Sequence, residues 1–355
     1  MIVLGNMKIK FQLLKAQLLL GFLVICIACD SNRISTNITG QTMGTTYSIK
    51  IISQELSLNQ IILKEGIDSV LSKINMQMST WDLNSEISRI NRDLTKEPIL
   101  LSPELQEVMS SAISISKKSN GVFDITIYEL MSLWGFGPEP KKIYPTNKEI
   151  KKVLENTGWK KINLVKNYLI REKKNLKFDL NAIAKGYGVD KVFQYLQTRG
   201  YNNIFVEIGG EVRCSGINLN NRSWRLGIEV PLVGGSINTQ IAGIISLSDK
   251  AMATSGNYRN FVDIGGEIIG HTVNPILGRP VKTNVLSVTV ISSSCMIADS
   301  WATTLMVLDY KNGKKLIEKE NDLNVVWVVE MEDRSRRISS TDGISIDNAI
   351  YDSII

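Results

Sequence analysis

Four stretches of the chain repeat apolar residues at helical spacing. They are Ile67, Val70, Leu71 and Ile74; Leu105, Val108, Met109, Ala112 and Ile113; Val189, Val192, Phe193 and Leu196; and Ala298, Trp301, Ala302, Leu305 and Met306. Each set lines one helix face and predicts a helix that buries it. Ser102 before Pro103 supplies an N-cap and a proline at the first helical position, and Asn120-Gly121 stops that helix. Thr146 with Glu149 forms a capping box, and Gly158 is expected to close the helix it opens. Alternation at Tyr47, Ile49 and Ile51 predicts a strand, as do the runs 204–208, 224–230, 241–247, 285–292 and 325–329, the last of them read as the final strand. Two short strands around turns at Asn167 and Asn175 are expected over 164–180. Asn312-Gly313 reads as a turn before a short basic helix, and the tail as polar. No proline- or serine-rich linker divides residues 40–340. The expectation is an α+β fold, mixed sheets packed by helices in one interwoven unit.

Composition adds little to the middle of the chain but much to its start. An apolar fraction of 43% over 355 residues is globular. Lys8, Lys10 and Lys15 precede an apolar run at 18–28, too short to span a bilayer comfortably and fitting a signal-peptide core. The run ends in Ala28-Cys29, which resembles a bacterial lipobox, with Cys26 where leucine is usual. The expected order is a signal peptide over 1–28, lipidation at Cys29, a polar tether over 29–39, one domain over 40–340 and a tail over 341–355. The expected location is the bacterial cell envelope, with a lipid anchor in a membrane. Losing 1–28 removes three lysines and no acid, so the net charge falls from +6 to +3. That is no nucleic-acid footprint. Cys214 and Cys295 then remain, and they make neither a disulfide framework nor a zinc pattern.

The polar positions that interrupt the pattern carry the candidate chemistry. Stretch 177–196 reads as a strand end, a tight polar turn at Asp179 and a helix with Lys185, Gly186 and Gly188 in its first turns. A carboxylate, a lysine and glycines at a helix N-terminus suit a phosphate-bearing ligand. A buried junction with a solvated lysine is the plainer account. Asp299 and Thr303 lie four apart on one helix face, and two hard oxygens suit Mg²⁺. Alternatively Asp299 caps its helix and Thr303 bonds back to a carbonyl. Met43 beside Gly44 is either core or a soft cover over a flat ligand, and Trp81 either a lid on the core or a stacking platform. Residues 133–138 alternate aromatics with glycine in a rigid loop, and 253–259 read as a polar, glycine-bearing segment. His271, the only histidine, sits in a loop framed by Pro275 and Pro280.

In combination these segments resemble the ApbE family of FAD:protein FMN transferases. The matching pieces run in order from Thr42-Met43-Gly44-Thr45 through Met78-Ser79-Thr80-Trp81-Asp82 and Ser85-Glu86-Ile87-Ser88-Arg89. Phe123-Asp124-Ile125-Thr126, Leu133-Trp134-Gly135-Phe136-Gly137 and Asp179-Leu180-Asn181-Ala182-Ile183-Ala184-Lys185-Gly186 follow. Val206-Glu207-Ile208-Gly209-Gly210-Glu211, Ser255-Gly256-Asn257-Tyr258-Arg259, the segment 271–275 and Asp299 through Thr303 complete the set. The resemblance implies FAD as substrate, with Mg²⁺ across its pyrophosphate. It implies transfer of FMN to a Ser or Thr of an acceptor protein, with release of AMP. Carried over by motif, Met43, Trp81, Val122, Phe123, Asp124, Asp179, Lys185 and Val273 would bind FAD. The Ala182 backbone oxygen, Asp299 and Thr303 would hold the metal, and His271 would be the base beside the scissile bond. Acceptors of the family carry an Asp-x-x-Ser/Thr-Gly-Ala-Thr signature and belong to membrane redox pumps or extracellular electron-transfer chains. The chain departs from the family at Tyr128-Glu129 for Gly-Pro, at Asn274 for Asp, and at Ala302 where some members have a second acid. A Mg²⁺-dependent FAD pyrophosphatase, a non-catalytic lipid-tethered flavin binder and an envelope lipoprotein with another ligand are the alternatives.

Overall fold

The computed structural model describes residues 33–54, 59–141, 143–231, 239–256 and 261–354, and the expected signal segment and Cys29 lie outside them. The described chain opens with β1 (Ile34–Thr42) and β2 (Thr45–Ser53), then α1 (Gln60–Met78), α2 (Glu86–Arg92), β3 (Ile99–Leu100) and α3 (Pro103–Lys118). Helices α4 (Tyr128–Leu133) and α5 (Asn147–Leu154) lead to β4 (Ile162–Val165), β5 (Tyr168–Arg171) and α6 (Ala184–Gln197). Then come β6 (Asn203–Ile208), β7 (Glu211–Ser215), β8 (Trp224–Pro231), β9 (Thr239–Leu247) and β10 (Lys250–Gly256). Two small hairpins follow, β11 (Phe261–Ile264) with β12 (Glu267–Gly270) and β13 (Val273–Asn274) with β14 (Arg279–Pro280). The last elements are β15 (Val285–Ser292), α7 (Cys295–Val307), α8 (Tyr310–Ile317), β16 (Asn324–Glu330), β17 (Arg336–Ser340) and β18 (Asp352–Ser353).

A nine-stranded sheet in the order β1-β2-β6-β7-β10-β15-β16-β17-β18 is the frame. Its pairs are antiparallel except β17 with β18. Both faces are covered, which is why β16 reads NVVWVVE without polar alternation. Val325, Trp327 and Val329 enter the core shared with α3 and α7. Val326 and Val328 point the other way, into a cluster with Trp224, Leu226 and Ile228 of β8. Helices α1 and α6 pack on the sheet through Ile67, Leu71, Val189, Val192 and Phe193 against Ile49, Ile51 and Val206. A satellite cluster of α4, α5, Ile264, Ile269 and Val273 forms a small lobe at the β11–β14 hairpins. Cys214 and Cys295 are both free and buried. No helix among the described residues is long and apolar enough to cross a membrane.

The mixed α+β architecture matches expectation, and the capping signals hold. Ser102 accepts from Leu105 N, and Thr146 with Glu149 forms the full capping box. Some local readings are corrected. Strand β1 begins at Ile34 and buries Thr36 and Ile38, so it takes up most of the stretch expected as tether. No strand forms at 177–180; the Asn91 side chain stands in for a neighbouring strand, donating to Phe178 O at 2.8 Å and accepting from Phe178 N at 2.7 Å. The segment expected to be polar from 253 begins inside a central strand, β10, in which residues 251–254 are all buried. Helix α5 stops at Leu154, four residues before Gly158. Asn312-Gly313 lies within α8, because Asp309 caps that helix earlier and Gly313 fits against Leu305 and Trp327. The strand at 325–329 is not the last: β17 and β18 follow it, with Ile344, Ile346 and Tyr351 packed on the β8–β9 side.

Candidate functional site

The site is built where α6 meets α7. A Cβ at Gly186 would stand 2.3 Å from the Cys295 carbonyl oxygen and 2.8 Å from Asp299 Cβ, so only glycine lets the helices close. Gly186 is the third residue of α6, so its N–H is one of the donors that a helix N-terminus leaves without an intrahelical partner. It donates to Asp299 Oδ2 at 2.9 Å. Ala182 lies in the turn that leads into this helix start. Asp299 is 3% exposed, and burial pushes its carboxyl above the usual range while Lys185 and the Gly186 N–H oppose that rise. A carboxylate so placed costs free energy to ionise unless a cation stands beside it.

Both simpler accounts of this pair fail. Ser294, not Asp299, caps α7, accepting from Ile297 N. Bonding back to a carbonyl is done by Ser300 and Thr304, to Met296 O and Ser300 O. Thr303 instead brings Oγ1 to 3.4 Å from Ser255 Oγ, at the end of β10. Lys185 pairs with Glu211 at the start of β7. The Ala182 turn, Lys185, Asp299 and Thr303 thus share one junction.

One supporting residue was not singled out by its sequence position. Asp190 of α6 is 5% exposed and accepts from Ser294 Oγ (2.7 Å), Cys295 N (2.9 Å) and Met296 N (3.0 Å), the first donors of α7. Arg213 of β7 pairs with it at 2.6 Å. A carboxylate at a helix N-terminus is favourable, and this one joins α6, α7 and β7. The signal available was an acid directly beside the apolar stripe of Val189, Val192 and Phe193.

The other candidates approach from separate loops. Asp179 is held by a bond from its own N–H to Ile125 O at 2.8 Å, which joins the 122–126 loop to the α6 junction. Its carboxylate accepts from Asn181 N (2.8 Å) and Asn181 Nδ2 (3.2 Å), and burial raises its pKa. Asp124 accepts from Thr126 N, Thr126 Oγ1 and Trp159 N at 2.7–2.8 Å, so its carboxylate fixes the loop. The Phe123 ring lies in the main core, Val273 lies in the satellite cluster, and Val122 is half-buried. Met43 and Gly44 form the β1–β2 turn with φ of 49° and 70°. That two-residue turn favours Asn-Gly, and a methionine there is strained by about 1–2 kcal/mol. The turn holds Met43 over α6, where a Cβ on Gly188 would come within 2.9 Å of Met43 Cε. Trp81 is 64% exposed, which rules out a lid on the core. His271 is half-buried, with its ring edge-on to Phe136 at 6.5 Å. Among the described residues, no cluster of three or more His, Cys, Asp or Glu could hold a metal ion, so any cation here would rest on few protein ligands.

The ApbE family profile matches residues 43–327, which spans every one of these loops. The chain belongs to the ApbE family. It is 38% identical over 323 residues to the FAD:protein FMN transferase of Vibrio cholerae, covering 91% of this chain and 96% of that one. It is 34% identical over 305 residues to the Haemophilus influenzae protein of that name, covering 83% and 86%. The solved structure of the flavin transferase ApbE from Vibrio cholerae superposes with a TM-score of 0.78 at 36% identity, covering 89% and 98%. The apo flavinyl transferase ApbE of Pseudomonas stutzeri gives 0.77 at 29% identity, covering 89% and 96%.

The departures from the ApbE pattern have visible structural consequences. Asn274 does an aspartate's work in its turn, accepting from Ile276 N (2.9 Å) and Leu277 N (3.0 Å). Ala302, three residues after Asp299, is buried in the main core cluster, which also holds Ile183 and Ala184. Tyr128 and Glu129 open α4 and engage Lys177, which lies 5.5 Å from the Tyr128 ring centroid and 2.5 Å from Glu129 Oε1. Burial, with Glu139, Glu129 and Asp179 nearby, pushes the Tyr128 hydroxyl up to about 12.

Proposed function

We propose that this chain is a Mg²⁺-dependent FAD:protein FMN transferase, moving FMN from FAD to a Ser or Thr hydroxyl of an acceptor protein and releasing AMP. The observation that carries the reading is the buried Asp299 carboxylate, held against the N-terminus of α6 by the Gly186 N–H with Thr303 one turn further along α7. With the Ala182 carbonyl in the turn before α6, Asp299 Oδ1 and Thr303 Oγ1 would supply hard oxygen donors, a set that fits Mg²⁺. Ala182, Asp299 and Thr303 would hold the ion, which when bound would neutralise charge on the pyrophosphate of FAD. Lys185 would face the same phosphates. Asp179 would accept hydrogen bonds from the ligand, Met43 and Trp81 would cover its flat rings, and Val122, Phe123, Asp124 and Val273 would offer chiefly backbone. His271 would take the proton of the acceptor hydroxyl. The oxygen then forms a bond to the FMN phosphorus as the pyrophosphate bond breaks and AMP departs.

Asp299→Asn keeps the shape and removes the charge. It is expected to raise the Mg²⁺ needed for half-maximal transfer roughly tenfold, a loss of about 1.4 kcal/mol, with the fold intact by thermal melting. FMN transfer to an acceptor protein across a Mg²⁺ titration measures it, with FAD alone as the control for hydrolysis. An unchanged Mg²⁺ dependence would show that the metal is held elsewhere.

The proposed setting is the bacterial envelope, with Cys29 as the lipid anchor and acceptors bearing Asp-x-x-Ser/Thr-Gly-Ala-Thr on membrane redox subunits. The charged start, apolar run and Ala28-Cys29 support it. Cys29→Ser is expected to leave membranes for the soluble fraction on cell fractionation, because stable anchoring needs the acyl chains. Retention of processing and membrane association would remove the lipobox assignment.

A further inference from the structure

We propose that the tip of the β13–β14 hairpin, with the basic lobe beneath it, is the docking face for an acidic segment flanking the acceptor hydroxyl. This rests on the transferase reading above, because only a polypeptide substrate must spread over the surface around His271. The hairpin begins two residues beyond His271 and displays Ile276 and Leu277 at its tip, 57% and 62% exposed. One exposed aliphatic side chain is ordinary. Two adjacent ones held out by a fixed turn are a different matter. Asn274 Oδ1 accepts from both their amides, and Gly278 N donates to Asn274 O at 2.8 Å. Beneath the tip, Trp134 Nε1 donates to Gly278 O at 2.8 Å. The same indole carries Tyr144 edge-on at 5.3 Å, so Tyr144, 47% exposed, shares one support with the tip. The apolar display is therefore rigid and continuous with the loop of the proposed base, so binding there orders little that is not already ordered.

Charge selects the kind of partner. Segments 128–161 and 261–282, which build this lobe, hold nine Lys or Arg against six Asp or Glu, a net +3. The chain without residues 1–28 is also +3, so the rest of it sums to zero. Lys148, Lys151 and Lys152 of α5 are all exposed. An apolar tip set in a basic surface suits a segment that carries carboxylates and a small apolar contact near its hydroxyl. Such complementarity acts chiefly on encounter and orientation.

The test uses Ile276→Ser/Leu277→Ser and, separately, Lys148→Glu/Lys151→Glu, none of which touches the proposed FAD or metal residues. The probe is a folded acceptor domain bearing Asp-x-x-Ser/Thr-Gly-Ala-Thr. The serine pair is expected to raise KM for the acceptor about tenfold or more, as loss of central apolar anchors does, with kcat and KM for FAD at parental values. The glutamate pair is expected to raise KM at low salt and to flatten its dependence on ionic strength. Parental acceptor KM in both variants overturns the proposal. So does a parent dimer that the serine pair splits without changing acceptor KM, since the tip would then belong to a second copy. If the parent itself moves no FMN to the acceptor, the transferase reading fails, which is a separate result.

Discussion

His271→Ala is expected to bind FAD as the parent does and to lose FMN transfer by ~10²–10⁴-fold, the usual contribution of a positioned general base. The structural support for a clean result is that the imidazole's loop is held by groups the substitution leaves alone. Val281 N donates to Thr272 O at 3.0 Å, β13 pairs with β14, and Trp134 anchors Gly278. His271 is half-buried, with its ring edge-on to Phe136. It is the sole histidine of the chain. No other imidazole, the side chain best matched to proton transfer near neutral pH, can substitute for it. Transfer rate at saturating FAD, with a flavin-binding titration beside it, separates chemistry from binding. Near-parental transfer would return His271 to a packing role at the edge of Phe136.

Asp190→Ala is expected to cost ~3–5 kcal/mol of stability, because it leaves the Arg213 guanidinium and the first amides of α7 without their shared carboxylate. For a chain of this size that corresponds to a fall in Tm on the order of 10 °C. The four donors at 2.6–3.0 Å come from β7 and the start of α7, so the loss reaches beyond α6. Helix α7 carries Asp299 and Thr303 in its second and third turns, and freeing its start should loosen both. The Mg²⁺ requirement for transfer should therefore rise as well, at temperatures where the variant is still folded. Asp190→Asn, which keeps one acceptor oxygen, should fall between. An Asp190→Ala protein that melts within about 1 °C of the parent would mean that solvent replaces the carboxylate at no cost.

The sequence alone determined what is periodic or local. Helices α1, α3, α6 and α7 are legible because one buried face repeats every three to four residues, and their ends because caps are bonds between near neighbours. The run at 325–329 was legible because a strand covered on both faces is apolar throughout. The identities of the candidate ligands were legible too, as residue types in motif order. Their arrangement was not.

Strand β10 escaped notice because Ala251, Ala253, Thr254 and Ser255 are small, and small residues buried on both faces leave no alternation. The stretch at 177–180 looked like a strand, yet its partner is the Asn91 amide, 87 residues away. Asp299 was readable as the cap of its own helix, yet Ser294 caps α7 and Asp299 meets the Gly186 amide, 113 residues away in sequence. Asp190 carried no mark of its own in the sequence, and its role comes from α7 being brought over it. A pattern along the chain reports which face of an element avoids water. Which amide meets which carboxylate depends on how two such faces are brought together, and that was decided by the sheet order and the one glycine that lets α6 and α7 touch.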